Sequence, residues 1–152
     1  LNRMVLGEAA LHQCDHDWRG FAWIDFGDVE NSSVSFVRYG AQKKDALLFV
    51  FNFTPIVRSE YRVGVPRRGE YEEVLNTDAA CYGGSGVGNL GSIKSEPIEH
   101  HEQADSLLLT LPPLAVIAFR IPAAKPVPER PVRASKRAKR THAAKPSRKR
   151  EA

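Results

Sequence analysis

The sequence contains no long hydrophobic run and few cysteines. Its longest apolar stretches, residues 46–51 and 114–119, have six residues each, whereas a membrane-spanning helix needs about 20. No basic segment followed by an apolar one opens the chain, so the sequence shows no signal peptide. The two cysteines, Cys14 and Cys81, are too few for a disulfide framework. We therefore expect two reduced thiols in a cytoplasmic protein without transmembrane helices.

The chain is too short for a complete (β/α)₈ barrel enzyme. It has 152 residues, and such a barrel needs about 250. Hydrophobic residues make up 42% and charged residues 26%, which is typical of one globular domain. Because the first residue is Leu1 and the single methionine is Met4, we expect the sequence to be a fragment of a longer protein.

Charge divides the sequence into two parts. Residues 1–122 hold 11 Lys and Arg against 16 Asp and Glu, a net charge of −5, whereas residues 123–152 hold 11 against 2, a net charge of +9. The second part contains no aromatic residue and three β-branched ones. Because such a segment buries too little apolar area to offset the entropy lost on ordering, we predict a disordered basic tail after Pro122.

The pattern of residues 20–122 indicates β-structure. Short runs rich in β-branched and aromatic residues are separated by turn signals, and no helical pattern of 10–15 residues lies between them. The predicted strands are residues 34–39, 47–54, 61–65, 71–75, 106–111 and 115–121, with a further one beginning at Phe21. Pro112 and Pro113 mark the connection between the last two strands, because proline cannot complete a sheet ladder.

The start of the chain departs from this pattern. Met4, Ala10 and Leu11 recur at a spacing near 3.6 residues, which predicts a helix over residues 3–13. We therefore predict an all-β fold class: an antiparallel β-sandwich preceded by a short helix and followed by the disordered basic tail. Sandwich domains have about 100 residues, which fits residues 20–122.

A cluster of carboxylates follows the first predicted strand. Asp25, Asp28 and Glu30 surround a glycine, and paired carboxylates perform acid–base catalysis when burial raises one pKa. The segment is more typical of a solvated turn that leads into the next strand. We therefore predict no catalytic residue in this chain.

The candidate metal ligands lack the spacing of a zinc site. His12, Cys14 and His16 form an H-x-C-x-H pattern, but no second pair of ligands with zinc spacing follows. On a helix the two histidines share a face, and Cys14 does not. We expect exposed side chains here, with no metal site and no cofactor.

Three residues are candidates for contact with a sugar. A glycine-rich run occupies residues 83–91, but it lacks the lysine and the following helix of a phosphate-binding loop. It is more typical of a loop with positive φ angles and close backbone approach. Tyr82 and Asn89, at its ends, offer a ring and an amide to a sugar. Trp23 offers a second ring, although packing in a core or between domains is the more usual role of such a residue.

A set of motifs occurs in a fixed order along the chain, in a match that covers roughly residues 1–121. They are Ala10-Leu-His12, Gly20-Phe21, Trp23-Ile-Asp25, Glu30-Asn-Ser32, Ser35-Phe-Val-Arg38, Asn52-Phe-Thr-Pro55, Tyr61-Arg-Val-Gly64, Glu73-Val-Leu-Asn-Thr-Asp78, Tyr82-Gly-Gly-Ser85, Gly88-Asn89 and Ser106-Leu-Leu-Leu-Thr-Leu-Pro-Pro-Leu-Ala115. Each motif alone is a weak indicator of a protein family, whereas the ordered set is specific for one. The chain resembles the C-terminal β-domain of 1,4-α-glucan (glycogen) branching enzymes, of the α-amylase clan, preceded by the end of the catalytic barrel.

The resemblance implies a parent enzyme that forms α-1,6 branches by transferring α-1,4-glucan segments in glycogen biosynthesis. Its catalytic carboxylates come from barrel strands upstream of this sequence, so the chain alone is expected to be inactive. Residues 1–19 are then the remnant of the last barrel helix and a linker, 20–122 the β-sandwich and 123–152 the tail, which matches nothing in the family. An apolar patch around Leu6 and Leu11 is expected where the barrel packs, and it includes Phe21 and Trp23.

The expected partners are an α-glucan, glycogen or amylose, and the missing barrel if another chain supplies it. A first alternative is a stand-alone glucan-binding module that uses Trp23, Tyr82 and Asn89. A second alternative is a protein that binds nucleic acid or another polyanion weakly through its tail. The candidate contacts in the tail are Lys136, Arg137, Lys139, Arg140, Arg148, Lys149 and Arg150.

The tail makes the second alternative testable. Removing residues 123–152 should abolish binding to double-stranded DNA in a fluorescence anisotropy titration, and the affinity of the full chain should fall steeply with salt, because lysine and arginine release counterions from phosphates. Glucan binding should not change on the same deletion. A truncated chain that binds DNA as well as the full chain would contradict this prediction.

Overall fold

The computed structural model describes residues 2–42 and 44–123. The first element is α1 (Asn2–Gly7), and two short 3-10 helices follow at Ala9–Leu11 and Trp18–Gly20. The strands within the described residues are β1 (Phe21–Asp25), β2 (Ser33–Tyr39), β3 (Ala46–Asn52), β4 (Arg58–Val65), β5 (Glu70–Asn76), β6 (Ser92–Lys94), β7 (Asp105–Leu111) and β8 (Ala115–Arg120). None of the helices in this part of the chain is long and apolar enough to cross a membrane. Residues 124–152 of the predicted disordered tail, which include its seven basic contact residues, lie outside the described residues.

The strands form two antiparallel sheets. The larger sheet has the order β1-β2-β3-β8-β5-β6, and β4 pairs with β7 in the smaller one. The predicted all-β fold with antiparallel sheets and a short N-terminal helix is therefore confirmed. The sequence pattern does not predict β6, because three residues are too few to show alternation.

The start of the chain differs from the predicted helix over residues 3–13. α1 ends at Gly7, and a separate 3-10 helix follows at Ala9–Leu11. Glycine costs about 1 kcal/mol relative to alanine within a helix, and the backbone of Glu8 is extended, with φ −105° and ψ 103°. This break allows Ala10 to pack against the sheet, where it is 1% exposed. The helix prediction is therefore wrong beyond Gly7.

The core lies between the two sheets. Alternation along each strand directs every second side chain inward. The inward side chains include Val37, Leu48, Val50, Ile117 and Phe119 from the larger sheet and Val63, Val65, Leu107, Leu109 and Leu111 from the smaller one. Tyr71 is buried with them, and its hydroxyl donates a hydrogen bond to the Arg67 carbonyl at 2.7 Å. The smaller sheet thus covers one face of the larger sheet.

Asn52 connects the end of β3 to the loop between β7 and β8. Its side chain is buried, and Nδ2 donates to the carbonyls of Ile56 and Pro112, both at 2.8 Å. Its Oδ1 accepts from the Thr54 amide at 3.0 Å and from the Thr54 hydroxyl at 2.7 Å. All four hydrogen-bonding positions of the amide are filled, which a buried amide requires. The proline pair lies between β7 and β8, as predicted.

We predict that Asn52→Leu destabilises the fold strongly. It leaves two carbonyls and one amide without their partner, which should lower the free energy of unfolding by about 2–4 kcal/mol. Urea unfolding followed by circular dichroism measures this change. The control Thr54→Val removes one hydrogen bond and should cost about 1 kcal/mol. Equal costs for the two variants would contradict the central role of Asn52.

Candidate functional site

A row of aromatic side chains lies on the outer face of the larger sheet. We name it the aromatic face, and it consists of Phe21, Trp23, Phe26, Phe36, Phe49, Phe51 and Phe53. Phe36 lies at its centre, with its ring centroid 5.0–5.8 Å from those of Phe21, Trp23, Phe49 and Phe51. Phe26 and Phe53 extend the row at its ends, 5.5 Å from Trp23 and 5.7 Å from Phe51.

Strand register produces this row. Phe36 pairs with Trp23 on β1 and with Phe49 on β3. Neighbouring residues such as Val37 and Leu48 belong to the core, and side chains alternate along a strand. The rings therefore point away from the core, and cross-strand aromatic pairs hold them side by side.

The aromatic face contains six of the seven phenylalanines in the chain. Trp23, Phe26 and Phe53 are 52%, 69% and 59% exposed. A contiguous exposed apolar patch on a soluble domain marks an interaction surface. The expected patch is therefore present at Trp23 but is centred on phenylalanines that the sequence reasoning did not include. Leu6 is also exposed, at 82%, whereas Leu11 is half-buried.

The N-terminal segment covers the other end of the same outer face. Glu8 accepts a hydrogen bond from Arg120 at 2.5 Å, and Arg120 also pairs with Glu72. Arg120 is the register partner of Leu47, which is 1% exposed. The segment before β1 thus lies against the outer face, and the aromatic face is the part that it leaves open.

The three predicted sugar contacts do not form one site. Trp23 lies on β1 and Tyr82 follows β5, so four strand spacings, about 19 Å, separate them across the sheet. Tyr82 is 64% exposed and adjoins a separate groove beside Met4 and Leu75. Contact of these residues with a sugar stays a prediction.

Asn89 holds the glycine-rich run in place. Its Nδ2 donates to Glu73 at 3.1 Å and to the Thr110 carbonyl at 3.2 Å, and its Oδ1 accepts from the Thr110 amide at 2.9 Å. Several glycines in the run have positive φ, among them Gly83 at 81°. A Cβ on Gly84 would lie 2.1 Å from a backbone oxygen. The interpretation of this run as a loop with positive φ and close approach is therefore confirmed, and a sugar contact by Asn89 stays a prediction.

A second candidate site is a polar cleft of about 620 Å³ at one edge of the sandwich. We name it the polar cleft, and it is lined by Asp25, Asp28, Arg58, Glu60, Tyr61 and the pair His100 and His101. The residues come from the end of β1 and its connection to β2, from the start of β4 and from the turn before β7. Sequence reasoning did not join them, because they are brought together by the packing of one sheet on the other.

Asp28 accepts hydrogen bonds from several side chains in the polar cleft. Its carboxylate accepts hydrogen bonds from Asn31 Nδ2 at 2.8 Å, from the Tyr61 hydroxyl at 2.8 Å and from the Ser33 hydroxyl at 3.1 Å. Burial disfavours the charged carboxylate, but these hydrogen bonds outweigh it and hold the pKa of Asp28 below its ordinary value. The segment is a largely exposed turn, as the interpretation as a solvated turn requires, and Asp28 itself is half-buried and fully hydrogen-bonded within it.

Tyr61 and Ser33 connect the two sheets beside the Asp28 carboxylate. Ser33 lies on β2 and Tyr61 on β4, and their hydroxyl oxygens are 2.6 Å apart. Burial raises the pKa of Tyr61 to about 12, and the nearby carboxylate of Asp28 adds to that shift. The phenol therefore stays protonated at neutral pH and keeps donating to Asp28.

His101 faces Asp25 across the polar cleft. Its Nε2 lies 3.5 Å from the Asp25 carboxylate, and its Nδ1 accepts from the Gly64 amide at 3.4 Å. Burial lowers the pKa of His101, and the adjacent His100, at a ring-centroid distance of 4.0 Å, lowers it further. The imidazole is therefore neutral at neutral pH.

No metal centre occurs among residues 2–42 and 44–123. Within this part of the chain, no group of three or more His, Cys, Asp or Glu side chains is placed to hold a metal ion. His12 and His16 are exposed, and Cys14 is half-buried. The exposed positions of the two histidines match the expectation for the H-x-C-x-H pattern.

The two-sheet architecture and its match to a family model define the class of protein. The chain belongs to the family described as the alpha amylase C-terminal all-beta domain, whose model matches residues 23–122. Within that class, it is similar to the 1,4-alpha-glucan branching enzymes GlgB of Cereibacter sphaeroides, Aromatoleum aromaticum and Aquifex aeolicus, with identities of 54%, 51% and 50%. The alignments cover 77%, 80% and 79% of this chain but 16%, 19% and 19% of the relatives. The chain thus spans less than a fifth of their length, and the resemblance seen in the sequence is confirmed.

We predict that Asp28→Asn destabilises the protein at neutral pH by about 2–3 kcal/mol, because hydrogen bonds to a charged acceptor are lost. The lowered pKa means that Asp28 stabilises the fold above its ordinary pKa of 3.8 and that this contribution disappears in acid. The difference in free energy of unfolding between wild type and variant should therefore shrink as the pH falls below about 3.8. Urea titrations across this range measure it.

The control for this prediction is Glu99→Gln, which neutralises an exposed carboxylate. It should change the free energy of unfolding by less than about 0.5 kcal/mol at any pH. A cost for Asp28→Asn that stays constant down to strong acid would show that the charge of Asp28 is not what stabilises the fold.

Proposed function

We propose that the chain is the C-terminal, non-catalytic part of a 1,4-α-glucan branching enzyme. The whole enzyme transfers α-1,4-linked glucan segments to form α-1,6 branches on glycogen or amylose. Identities of 50–54% to branching enzymes over less than a fifth of their length support this proposal. Retaining transfer needs a nucleophilic carboxylate and an acid–base carboxyl about 5–5.5 Å apart. The family resemblance assigns both groups to a barrel that precedes this segment.

The aromatic face is the observation that carries the proposal. An independent small domain gains no stability from Trp23, Phe26 and Phe53 while half or more of each side chain is exposed. Covering each of them with a neighbouring domain would contribute about 1 kcal/mol. The role of the chain is then to pack against the catalytic barrel through this surface and to stabilise it.

We also propose the division into residues 1–19, 20–122 and 123–152. The start of β1 at Phe21 and the family match to residues 23–122 support the first boundary.

We predict that the effect of Phe53→Ala depends on the rest of the enzyme. In the isolated chain the ring is 59% exposed, so its loss should cost at most about 0.5 kcal/mol. In a chimera that carries residues 1–122 in place of the matching segment of the Aquifex aeolicus enzyme, the same change should cost at least about 1 kcal/mol, because the ring is then covered. Thermal unfolding of both proteins measures the difference.

The control is Leu90→Ala, which removes a fully exposed side chain from the glycine-rich run and should be neutral in both proteins. The chimera should form branches on amylose, and the isolated chain should not. Branching by the isolated chain, or equal effects of Phe53→Ala in the two proteins, would contradict the proposal.

A stand-alone glucan-binding module is the second candidate. The exposed rings of Trp23 and Tyr82 favour it, since aromatic rings pack against the apolar faces of sugars. The distance between the two residues across the sheet requires two separate contacts rather than one binding site. This candidate predicts that the isolated chain binds amylose. It also predicts that Trp23→Ala or Tyr82→Ala lowers the affinity for amylose.

A further inference from the structure

The imidazole of His101 joins the two sheets at the edge of the polar cleft. His101 lies in the turn before β7, and its Nδ1 accepts a hydrogen bond from the Gly64 amide of β4 at 3.4 Å. Its Nε2 lies 3.5 Å from the carboxylate of Asp25 at the end of β1. The side chains of His101 and Asp25 are 19% and 20% exposed. One largely buried ring therefore contacts the smaller sheet through one nitrogen and the larger sheet through the other.

The turn of residues 100–103, which we name the His101 turn, has an uncommon backbone. His100 and Gln103 exchange two backbone hydrogen bonds, of 3.0 and 2.9 Å, around the two residues between them. These two, His101 and Glu102, have φ angles of 47° and 59°, as in a type I′ turn, whose central positions favour asparagine and glycine. Other residues persist in this conformation where surrounding contacts hold the backbone. The contacts of the imidazole hold it here.

Gly64 allows the His101 turn to lie directly on β4. A Cβ at this position would be 2.1 Å from the carbonyl oxygen of His100, so any other residue would push the turn away. The amide of Gly64 reaches Nδ1 of His101 because of this close approach. The turn is thus held on β4 by a hydrogen bond whose acceptor is a titratable group.

This hydrogen bond determines where the ring can take up a proton. A neutral imidazole has one N–H and one nitrogen with a lone pair. Because Nδ1 accepts from the Gly64 amide, the lone pair is on Nδ1 and the hydrogen on Nε2 faces Asp25. A second proton can bind only at Nδ1, where it would point at the N–H of Gly64. Protonation therefore replaces an attractive contact between the turn and β4 with a repulsive one.

The charged groups around His101 act in opposite directions. Burial and the adjacent His100 lower the pKa of His101, whereas the carboxylates of Asp25 and Asp28 raise it, and the lowering dominates. The other charged or titratable groups near the ring are Glu102 in the same turn and, from β4, Arg58, Glu60, Tyr61 and Arg62. A protonated ring keeps Asp25 as a partner when it leaves Gly64, because a hydrogen bond between two charged groups is stronger than one from a neutral imidazole.

We propose that the His101 turn is a pH-sensitive conformational switch at the edge of the polar cleft. At neutral pH, the neutral imidazole holds the turn on β4 through Gly64. In mild acid, Nδ1 takes up a proton, the ring exchanges its contact with Gly64 for an ion pair with Asp25, and the turn moves away from β4. The polar cleft is then open on that side, whereas the core between the two sheets keeps its packing.

Nuclear magnetic resonance of the full ¹⁵N-labelled chain tests the proposal. At about pH 8 the ring nitrogen shifts of His101 should show a hydrogen on Nε2 and none on Nδ1. On acidification the Gly64 amide should shift with the same midpoint as the ring, below the ordinary histidine pKa of 6.5. The amide of Val50, in the core of the larger sheet, should not follow this titration.

Hydrogen exchange measures the release of the turn. The pKa of His101 is lowered only while the turn is held on β4, so a fall in pH below 6.5 favours the released state. The protection factor of the Gly64 amide should therefore fall about three- to tenfold between about pH 7.5 and 5.5. An unchanged protection factor over this range would overturn the proposal.

Two substitutions of His101 separate the titration from the packing of the ring. His101→Asn places an amide oxygen where Nδ1 lies, and asparagine tolerates positive φ, so the variant should protect the Gly64 amide equally at both pH values. His101→Gln extends its amide toward the position of Nε2 and leaves Gly64 without an acceptor, so protection should be low at both. Protection of the Val50 amide in each variant verifies that the fold is intact.

The matched control is His16→Asn, which removes an exposed histidine outside the polar cleft. It should retain the pH dependence of the wild type at Gly64. A hydrogen on Nδ1 at neutral pH, a Gly64 amide that does not follow the ring, or the same pH dependence in His101→Asn would each contradict the switch. None of these outcomes depends on branching activity or on the chimera.

Discussion

A six-stranded sheet has two faces, and the smaller sheet packs on one of them. The two strands β4 and β7 supply the inner layer, and the core forms between them and the larger sheet. On the outer face, the segment before β1 covers the end near Leu47 and Arg120, and the rings around Phe36 stay in contact with solvent. Because apolar area in water is unfavourable, this exposed aromatic area is what supports the proposal that another domain packs on the second face.

The same geometry explains why phenylalanine is distributed so unevenly. Phe119 is the one phenylalanine in the core, and smaller aliphatic side chains fill most of the space between the sheets. The other six lie on or beside strands β1 to β3, where cross-strand pairing stacks their rings. The inner face of the larger sheet is therefore aliphatic and its outer face is aromatic along β1 to β3.

The polar network around Asp28 joins the two sheets where their edges meet. Ser33 and Tyr61 belong to different sheets and share one carboxylate, so the same contacts that hold the sandwich closed also shape the polar cleft. Glu60 and His101, whose φ angles are positive at 56° and 47°, line the same cleft. The aromatic face and the polar cleft differ in chemistry: the first is apolar and partly exposed, and the second is lined by charged and hydrogen-bonding groups.

The amino-acid pattern determined the fold class and the position of most strands, because alternation and turn residues act over a few positions and can be read locally. It also carried the ordered motifs that identify the family. Tertiary structure decided what local patterns do not contain: the end of α1 at Gly7, the short strand β6 and the outward direction of Phe36, Phe49 and Phe51. It alone brought Asp28, Tyr61 and His101 together, because contacts between residues more than 30 positions apart depend on how one sheet packs on the other.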